Sequence, residues 1–381
     1  MRCSAGSRES SVLRDSGAPP RVGIIGGGFM ATVHSRAARA AGAELVAVAS
    51  STPARSRRAA EDLGFARASD SVDDLLTAPE IDVIHVCTPN ATHADLAARA
   101  LAAGKHVVCE KPLATESADA AAVTALAAAS GLIAAVPFVY RYHPMIQDLR
   151  ARVAVGELGR LIMVHGAYLQ DWLLDPSDEN WRVGNADGGR SRAFADIGSH
   201  LVDLLEFVTG ERVETLCATT SIVHPTRGGS AVATEDVAAV TVKFTGGAVG
   251  TLLVSQTAAG HDNDLRIEIA GTSSSIAFVQ EQPDSLRIGR RGAVTTVSRG
   301  ASVMSRAATE LSIVPGGHPM GYQDAFNAFV RDVYAAIGGA VPERMPSFRD
   351  GLRMVRVTDA VLQSAASEGW VAVEREFVAA G

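Results

Sequence analysis

The stretch RVGIIGGGFMA, residues 21–31, decides the fold of the first part of the chain. Its apolar start is typical of a buried strand, and the Ala-rich residues that follow are typical of a helix. Between them Gly26 permits a tight turn, Gly28 lets the backbone approach a pyrophosphate, and Ala31 keeps the helix close to the strand. The stretch therefore predicts a dinucleotide-binding turn with phosphate at the helix N-terminus; an ordinary tight turn is the alternative.

After this turn, strand-like and helix-like segments alternate as far as about residue 136. This alternation predicts a parallel, doubly wound sheet, in which ligands bind beyond the carboxyl ends of the strands. Two strand ends are then expected at the ligand edge. They are Thr88, Pro89 and Asn90 after the run IDVIHVC, and Glu110 and Lys111 after KHVVC.

The second strand of this sheet, ELVAVAS, ends without the carboxylate that usually holds the ribose of NAD. Ser50 and Ser51 stand there instead, and Arg55 follows shortly after them. Hydroxyl groups and a guanidinium suit the 2′-phosphate of NADP(H), so the sequence favours NADP(H) over NAD(H). The alternative is that the arginines of this region form a solvated helix face.

Lys111 and His93 are the residues of this edge that invite a chemical role. Lys111 follows an apolar strand and precedes a proline. Near a nicotinamide ring, a lysine there suits general acid–base work or the polarisation of a substrate hydroxyl; a pair with Glu110 is the alternative. His93 opens the helix after Asn90, and a cap or packing role is favoured for it over catalysis.

Composition limits the classes of protein to consider. A chain of 381 residues is long for a single core, so two domains are expected. The net charge of −7 disfavours a nucleic-acid partner. The most apolar window is interrupted by glycine and proline, so no membrane span is predicted. The four cysteines form no CxxC pair and are expected to be reduced thiols of a cytoplasmic protein.

Beyond about residue 144 the pattern changes to segments typical of antiparallel strands with one covered face. The predicted fold is α/β: an N-terminal Rossmann doubly wound sheet and a C-terminal α+β domain with a large, mainly antiparallel open sheet. Trp172, in the polar loop after residue 169, suits a platform for a sugar ring, with Tyr168 and Asp171 beside it. A plug at the domain junction is the alternative for this tryptophan.

The stretch FADIGSHLVD, residues 194–203, sets an imidazole between two carboxylates. Asp196, His200 and Asp203 are spaced as on one helix face, which leaves a metal site, a proton-transfer site or a polar edge open. No soft ligand or His/Cys cluster accompanies them, so no metal is predicted. A helix that starts near Ser199 would leave Asp196 at its entrance and make Asp203 a structural acid.

Several motifs together resemble one family. GGGFMA, CTPNATH, CEKPLA, FVYRYHP, ENWR and ADIGSHLVD occur in the order found in the Gfo/Idh/MocA family (glucose–fructose oxidoreductase and inositol dehydrogenase), over residues 21–370. The resemblance implies an NAD(P)-dependent oxidoreductase that transfers a hydride between nicotinamide and a secondary hydroxyl or ketone of a sugar, cyclitol or glycoside. It also implies a homodimer or homotetramer formed through the C-terminal sheet.

The resemblance implies that Lys111, Asp196 and His200 act together in catalysis and touch the substrate, to which Tyr168, Asp171 and Trp172 add predicted contacts. Arg190 and Arg192 replace the small residues that relatives have there, and either alter the substrate pocket or point to solvent. The residue pattern and the resemblance together predict cofactor contacts at Gly26, Gly28, Phe29, Met30, Ser50, Ser51, Arg55, Thr88, Pro89, Asn90, His93, Glu110, Lys111, Arg141, Trp181 and Arg182.

Two other functions stay open beside the dehydrogenase. One is a glycosidase that uses bound NAD for transient oxidation, and the other is a non-catalytic, cofactor-binding regulator; the presence of Lys111, Asp196 and His200 favours an enzyme. The predicted organisation is a flexible lead at 1–20, a Rossmann domain at 21–143, a substrate-binding and oligomerisation domain at 144–347, and a C-terminal helix at 348–381 that packs back on the Rossmann domain.

Overall fold

The computed structural model describes residues 18–300, 302 and 304–374. The predicted N-terminal lead therefore lies outside the described residues up to residue 17, and so does the end of the predicted C-terminal segment from residue 375. In the part of the chain that is described, no helix combines the length and the apolar character needed to cross a membrane.

The first part of the chain forms a six-stranded parallel sheet with helices between the strands. The sheet order is β3-β2-β1-β4-β5-β6, so the direction of winding reverses between β1 and β4, where such sheets bind ligands. The elements are β1 (Arg21–Ile25), α1 (Phe29–Ala40), β2 (Glu44–Ala49), α2 (Pro53–Leu63), β3 (Arg67–Ala68), α3 (Val72–Thr77), β4 (Val83–Val86), α4 (His93–Ala102), β5 (His106–Cys109), α5 (Ser117–Ser130) and β6 (Ala134–Ala135).

The second part forms a nine-stranded sheet in the order β16-β15-β14-β13-β7-β12-β11-β8-β17, antiparallel except between β7 and β12. The elements are α6 (Pro144–Ala154), β7 (Leu161–Leu169), α7 (Asn185–Gly188), α8 (Ser199–Thr209), β8 (Val213–Ser221), β9 (Thr226–Arg227), β10 (Ser230–Ala231), β11 (Val237–Phe244), β12 (Val249–Ser255), β13 (Asp264–Gly271), β14 (Ser275–Val279), β15 (Ser285–Arg290), β16 (Ala293–Ser298), α9 (Arg306–Leu311), α10 (Tyr322–Ile337), α11 (Phe348–Ser367) and β17 (Val371–Ala372). The predicted fold class, a parallel Rossmann sheet followed by a mainly antiparallel sheet, is confirmed.

The two sheets are held together by shared helices. Helix α10, which the sequence assigns to the second domain, packs on α1 and buries Phe326 and Phe329 against the first sheet. Helix α11 lies between α5 of the first part and β8 of the second. Buried apolar residues of both parts form one continuous cluster, so the two sheets that border the cleft pack on a shared core.

Candidate active site

The candidate site lies where the carboxyl ends of β4 and β5 face the start of α8. Lys111 follows β5, and Asp196 lies in a single π-helical turn, Phe194–Gly198, that leads into α8. A Cβ atom at Gly198 would come within 2.6 Å of the Phe194 ring, so this turn requires a glycine there. The turn places Asp196 at the entrance of the helix and His200 inside its first turn, as the sequence predicts.

Asp196 is the centre of the site, because two donors hydrogen-bond its carboxylate and an arginine lies within ion-pair distance of it. Lys111 Nζ lies 2.5 Å from Oδ1 and donates also to the Asp196 carbonyl oxygen at 3.0 Å. Gln256 Nε2 donates to Oδ2 at 2.8 Å, and Arg182 Nε lies 3.5 Å from Oδ1. Burial alone would raise the pKa of Asp196, but the charges of Lys111 and Arg182 outweigh it and hold that pKa well below its usual range.

His200 lies one turn from Asp196 in an apolar corner. Its ring meets the rings of Tyr140 and Phe138 edge-on, with centroids 5.1 and 5.5 Å away. Burial, with the charge of Lys111, lowers the pKa of His200 to about 3, so the imidazole is neutral at ordinary pH. Its Nδ1 is buried and has no hydrogen-bond partner among the described residues. The neutral imidazole presents one unprotonated ring nitrogen, which a proton acceptor requires.

The glycine turn fits a dinucleotide. Gly26 has a φ of +117°, and a Cβ there would lie 2.3 Å from the carbonyl oxygen of Cys87, so only glycine is tolerated. A Cβ at Gly28 would meet no atom within 4 Å, which leaves the backbone at the start of α1 open to a phosphate. Phe29 is exposed and Met30 half-buried on the same turn.

The end of β2 is an open polar corner beside this turn. Ser50 is half-buried, whereas Ser51 and Arg55 are exposed, and Arg55 Nη1 donates to Ser51 Oγ at 3.0 Å. Thr52 caps α2 by accepting a hydrogen bond from the backbone of Arg55. This corner holds hydroxyl groups and an exposed guanidinium, groups that suit a ribose or a phosphate.

The loops after β4 and β5 are tied to each other and to the second domain. His93 is buried, and its two ring nitrogens lie 2.8 Å from the carbonyl oxygen of Thr88 and 2.7 Å from that of Pro112. Asn90 Nδ2 donates to the carbonyl oxygen of Gly188 at 3.1 Å. Pro89 precedes Asn90 in the same loop. His93 therefore braces the two loops, which agrees with the packing role that the sequence favours.

Arg141 lies in a buried network of ion pairs. Its Nε donates to Asp203 Oδ2 at 2.8 Å, its Nη2 bonds the other oxygen of Asp203, and the same Nη2 donates to Asp350 Oδ1 at 2.8 Å. The guanidinium is buried, and its Nε and Nη2 are engaged by these two carboxylates, whereas a cofactor contact of Arg141 stays a prediction. Asp203 is a structural acid in this network.

The arginines of the loop before α8 have different surroundings. Arg182 stacks on the Trp181 ring, with its guanidinium carbon 4.3 Å from the ring centroid, and so reaches Asp196 from the cleft side. Arg190 pairs with Glu116 and Asp359 at the surface. Arg192 is fully buried in an ion pair with Asp236, so neither of the two readings of this residue, pocket or solvent, is right.

The predicted substrate contacts belong to one hydrogen-bonded wall. The hydroxyls of Tyr140 and Tyr168 lie 2.5 Å apart, and Tyr168 donates to Asn263 Oδ1 at 2.7 Å. Gln170 Nε2 donates to the same oxygen at 2.8 Å and receives a bond from Trp172 Nε1 at 2.7 Å. The wall runs from the His200 corner to Trp172. Asp171 lies beside it and accepts a bond from the backbone of Gly260.

Sequence reasoning missed Gln256 and Asn263. Both stand at strand boundaries, after β12 and before β13. Neighbouring strands of an antiparallel sheet run in opposite directions, so the carboxyl ends of the strands lie at both ends of the sheet. The sequence position of a polar residue therefore does not show at which end of the sheet it lies. Only the folded structure brings them to the cleft. In the described ranges, no group of three or more His, Cys, Asp or Glu side chains is arranged to hold a metal ion.

Replacing Gln256 by leucine tests its hold on Asp196. A hydrogen bond to a charged group contributes about 1.5–3 kcal/mol, so we expect kcat to fall roughly ten- to hundredfold while the cofactor Kd stays unchanged. Steady-state kinetics and a fluorescence titration with reduced cofactor measure the two quantities. Gln323, which donates to the Val33 carbonyl oxygen outside the site, provides the control. Wild-type kcat in Gln256→Leu would contradict the role.

Three features of the structure define a nicotinamide-dependent oxidoreductase of two domains. They are a glycine turn open to a phosphate, a parallel sheet whose winding reverses beside that turn, and a lysine, an aspartate and a histidine across the cleft. Residues 20–138 match the family described as "Oxidoreductase family, NAD-binding Rossmann fold", and residues 146–277 match the GFO/IDH/MocA C-terminal domain. The chain belongs to the Gfo/Idh/MocA family, as its motifs predict.

Several similar proteins are sugar or cyclitol dehydrogenases by name. Levoglucosan dehydrogenase of Pseudarthrobacter phenanthrenivorans is 31% identical, over 92% of this chain and 97% of its own length. A levoglucosan dehydrogenase solved with NADH and levoglucosan is 30% identical with a TM-score of 0.88, over 94% of this chain and 100% of that one. An inositol dehydrogenase homologue of Azotobacter vinelandii solved with NADH and myo-inositol is 27% identical with a TM-score of 0.84, over 93% and 98%.

Proposed function

We propose that this protein transfers a hydride reversibly between a nicotinamide cofactor and a secondary hydroxyl of a sugar, anhydrosugar or cyclitol. The observation that carries the proposal is the contact between Lys111 and Asp196 across the cleft, with neutral His200 one turn away. The names of the relatives support a carbohydrate-like substrate. The wall from Tyr140 to Trp172 supplies hydroxyl and amide groups beside an aromatic face, which suits such a molecule.

The residues of the cleft divide the work as follows. Bound nicotinamide would accept the hydride, held by the glycine turn, the end of β2 and Arg182. Lys111 holds and polarises the reacting hydroxyl, and His200 takes its proton as the carbon–hydrogen bond breaks. Asp196 keeps the Lys111 ammonium in place and balances its charge. In the opposite direction the same groups return a proton to the carbonyl oxygen.

The proposed cofactor preference depends on the residues at the end of β2. NADH is present in the solved relatives, which supports NAD(H). The absence of a carboxylate at residues 50–52, with the exposed Arg55 beside Ser51, supports NADP(H). We propose that both cofactors are used and that NADP(H) is preferred.

The test is absorbance at the reduced-nicotinamide band. Purified protein is mixed with NAD or NADP and with levoglucosan, myo-inositol, glucose and further sugars and cyclitols. We expect reduction with at least one compound and a higher kcat/KM for NADP. Consumption of a glycoside without net cofactor reduction would show the glycosidase alternative. Cofactor binding without turnover of any compound would favour the regulator.

Association through the second sheet is also proposed. The exposed face of β7, β11 and β12 carries Met163 and Val249 as cross-strand neighbours and Leu253 further along β12, with Thr251 between Val249 and Leu253. Such a face suits a copy of the same sheet. Light scattering should give the mass of a dimer or tetramer, and Leu253→Asp should lower it; a monomeric wild type would contradict the proposal.

We also propose a cytoplasmic location. The support is that the three cysteines of the described residues, Cys87, Cys109 and Cys217, are free thiols.

A further inference from the structure

Four buried polar side chains form a hydrogen-bonded chain that leads from the candidate site into the first domain. Glu110 Oε1 lies 2.9 Å from His34 Nε2, His34 Nδ1 lies 2.8 Å from His85 Nδ1, and His85 Nε2 lies 3.0 Å from the Tyr334 hydroxyl. Both histidines are fully buried, and Glu110 and Tyr334 are 4% and 7% exposed. Polar groups buried this deeply are costly, and the proton transfer described above uses none of them.

The positions of the protons in this chain follow from simple counting. A carboxylate only accepts, so His34 must carry its proton on Nε2 and present Nδ1 as an acceptor. His85 must then carry its proton on Nδ1, and its Nε2 accepts the hydroxyl proton of Tyr334. With two neutral imidazoles and an ionised Glu110, this is the one arrangement that satisfies all three bonds.

The charges of the chain agree with this arrangement. Burial by itself raises the pKa of Glu110, but the hydrogen bond from His34 and the charge of Lys111 bring it below its ordinary value. Burial lowers the pKa of His85 well below the usual value, so His85 is neutral. The titratable groups that influence Glu110 or are influenced by it are His34, His93, Lys111, Cys87, Cys109, His200 and Tyr322.

Glu110 connects the chain to the catalytic lysine. The backbone N–H of Lys111 donates to Glu110 Oε2 at 3.2 Å, while Oε1 holds His34. Two donors therefore face the two oxygens of one side chain, and only a carboxylate accepts from both. The negative charge of Glu110 also acts on His200, whose pKa it raises against the larger lowering by burial and Lys111.

We propose that His34, His85 and Tyr334 are positioning residues for catalysis: their one-way chain of hydrogen bonds holds Glu110 as a carboxylate that fixes the backbone of Lys111. The proposal rests on the roles proposed for Lys111 and His200. Tyr334 belongs to α10, so a helix on the far side of the first sheet contributes to the geometry of the cleft. No atom of Tyr334 needs to meet the substrate for this role.

The tautomers of the two histidines provide a test that needs no substrate. In protein labelled with ¹⁵N in the histidine rings, we expect the proton on Nε2 of His34 and on Nδ1 of His85, with assignments from His34→Asn and His85→Asn. In Glu110→Gln the amide keeps its oxygen on the Lys111 N–H and turns its NH₂ to His34, so both tautomers should reverse. Other wild-type tautomers, or unchanged tautomers in Glu110→Gln, would overturn the proposal.

Kinetics separate positioning from mere packing. Losing the terminal donor in Tyr334→Phe should lower kcat about fivefold, with the cofactor Kd within about twofold, because one neutral hydrogen bond contributes about 1 kcal/mol. Tyr142 packs on Phe329 of the same helix, and Tyr142→Phe is the control that should leave kcat unchanged. Wild-type kcat in Tyr334→Phe would make the chain purely structural and overturn the proposal. Wild-type kcat in Lys111→Ala would instead overturn the proposed function, whatever the tautomers.

Discussion

Replacing Lys111 by alanine is expected to lower kcat about 10³-fold while the protein folds and binds cofactor. The ammonium is the only lysine group at the cleft, and it carries the contact with Asp196 Oδ1 at 2.5 Å. A positioned proton-transfer group contributes roughly 10²- to 10⁴-fold to the rate, and polarisation of the substrate oxygen is lost with it. Steady-state turnover and a titration with reduced cofactor measure the two effects separately.

The fold should survive this change, because Asp196 keeps two of its partners. Gln256 still donates to Oδ2, and Arg182 still faces Oδ1. Arg306 is the control: it is an exposed cation that pairs with Glu310 on α9, 2.8 Å away. Arg306→Ala should turn over like the wild type. A kcat within about threefold of wild type in Lys111→Ala would contradict the proposed role.

The sequence predicted the first domain well, because each strand there is a short apolar run. A glycine, a helix-capping residue or the periodic pattern of a helix follows or precedes each run. Its errors are at the boundaries: the run IDVIHVC, residues 81–87, forms a strand only over Val83–Val86, since the chain leaves the sheet at Cys87 to form the ligand edge. The hairpin of β15 and β16 escaped prediction, because Ala293–Ser298 is mostly exposed and does not alternate. An edge strand without a buried face leaves no periodic signal.

The site was predictable only where it lies in local motifs. Lys111, Asp196 and His200 each stand in a short, specific motif. The family resemblance connects Lys111 with Asp196 and His200, which follow it by 85 and 89 residues. Arg141 stands in such a stretch too, but its partner Asp203 is 62 residues away, and nothing local shows that Nε and Nη2 of the guanidinium are engaged in this ion pair. Partners distant in sequence, such as Gln256 for Asp196, are decided by the register of the second sheet.

Replacing His200 by glutamine is expected to lower the rate of alcohol oxidation about 10²- to 10³-fold, with little change in cofactor affinity. Glutamine keeps a polar side chain in the corner formed by Phe138 and Tyr140, but it does not accept a proton at ordinary pH. The loss should therefore appear in kcat. His318, exposed in the loop between α9 and α10, is the matched control, and His318→Gln should leave kcat unchanged.

The pH dependence of kcat/KM gives this prediction its sign. An ordinary histidine gains a proton as the pH falls through about 6.5, which would stop it from accepting one from the substrate. Since burial and Lys111 lower the pKa of His200 to about 3, it stays unprotonated, and oxidation should show no loss centred near pH 6.5. In Lys111→Met the lowering by the ammonium is removed, so any acid limb should move to higher pH. A wild-type acid limb near pH 6.5 that disappears in His200→Gln would contradict the lowered pKa of His200. Unchanged turnover in His200→Gln would contradict the role of His200 as proton acceptor.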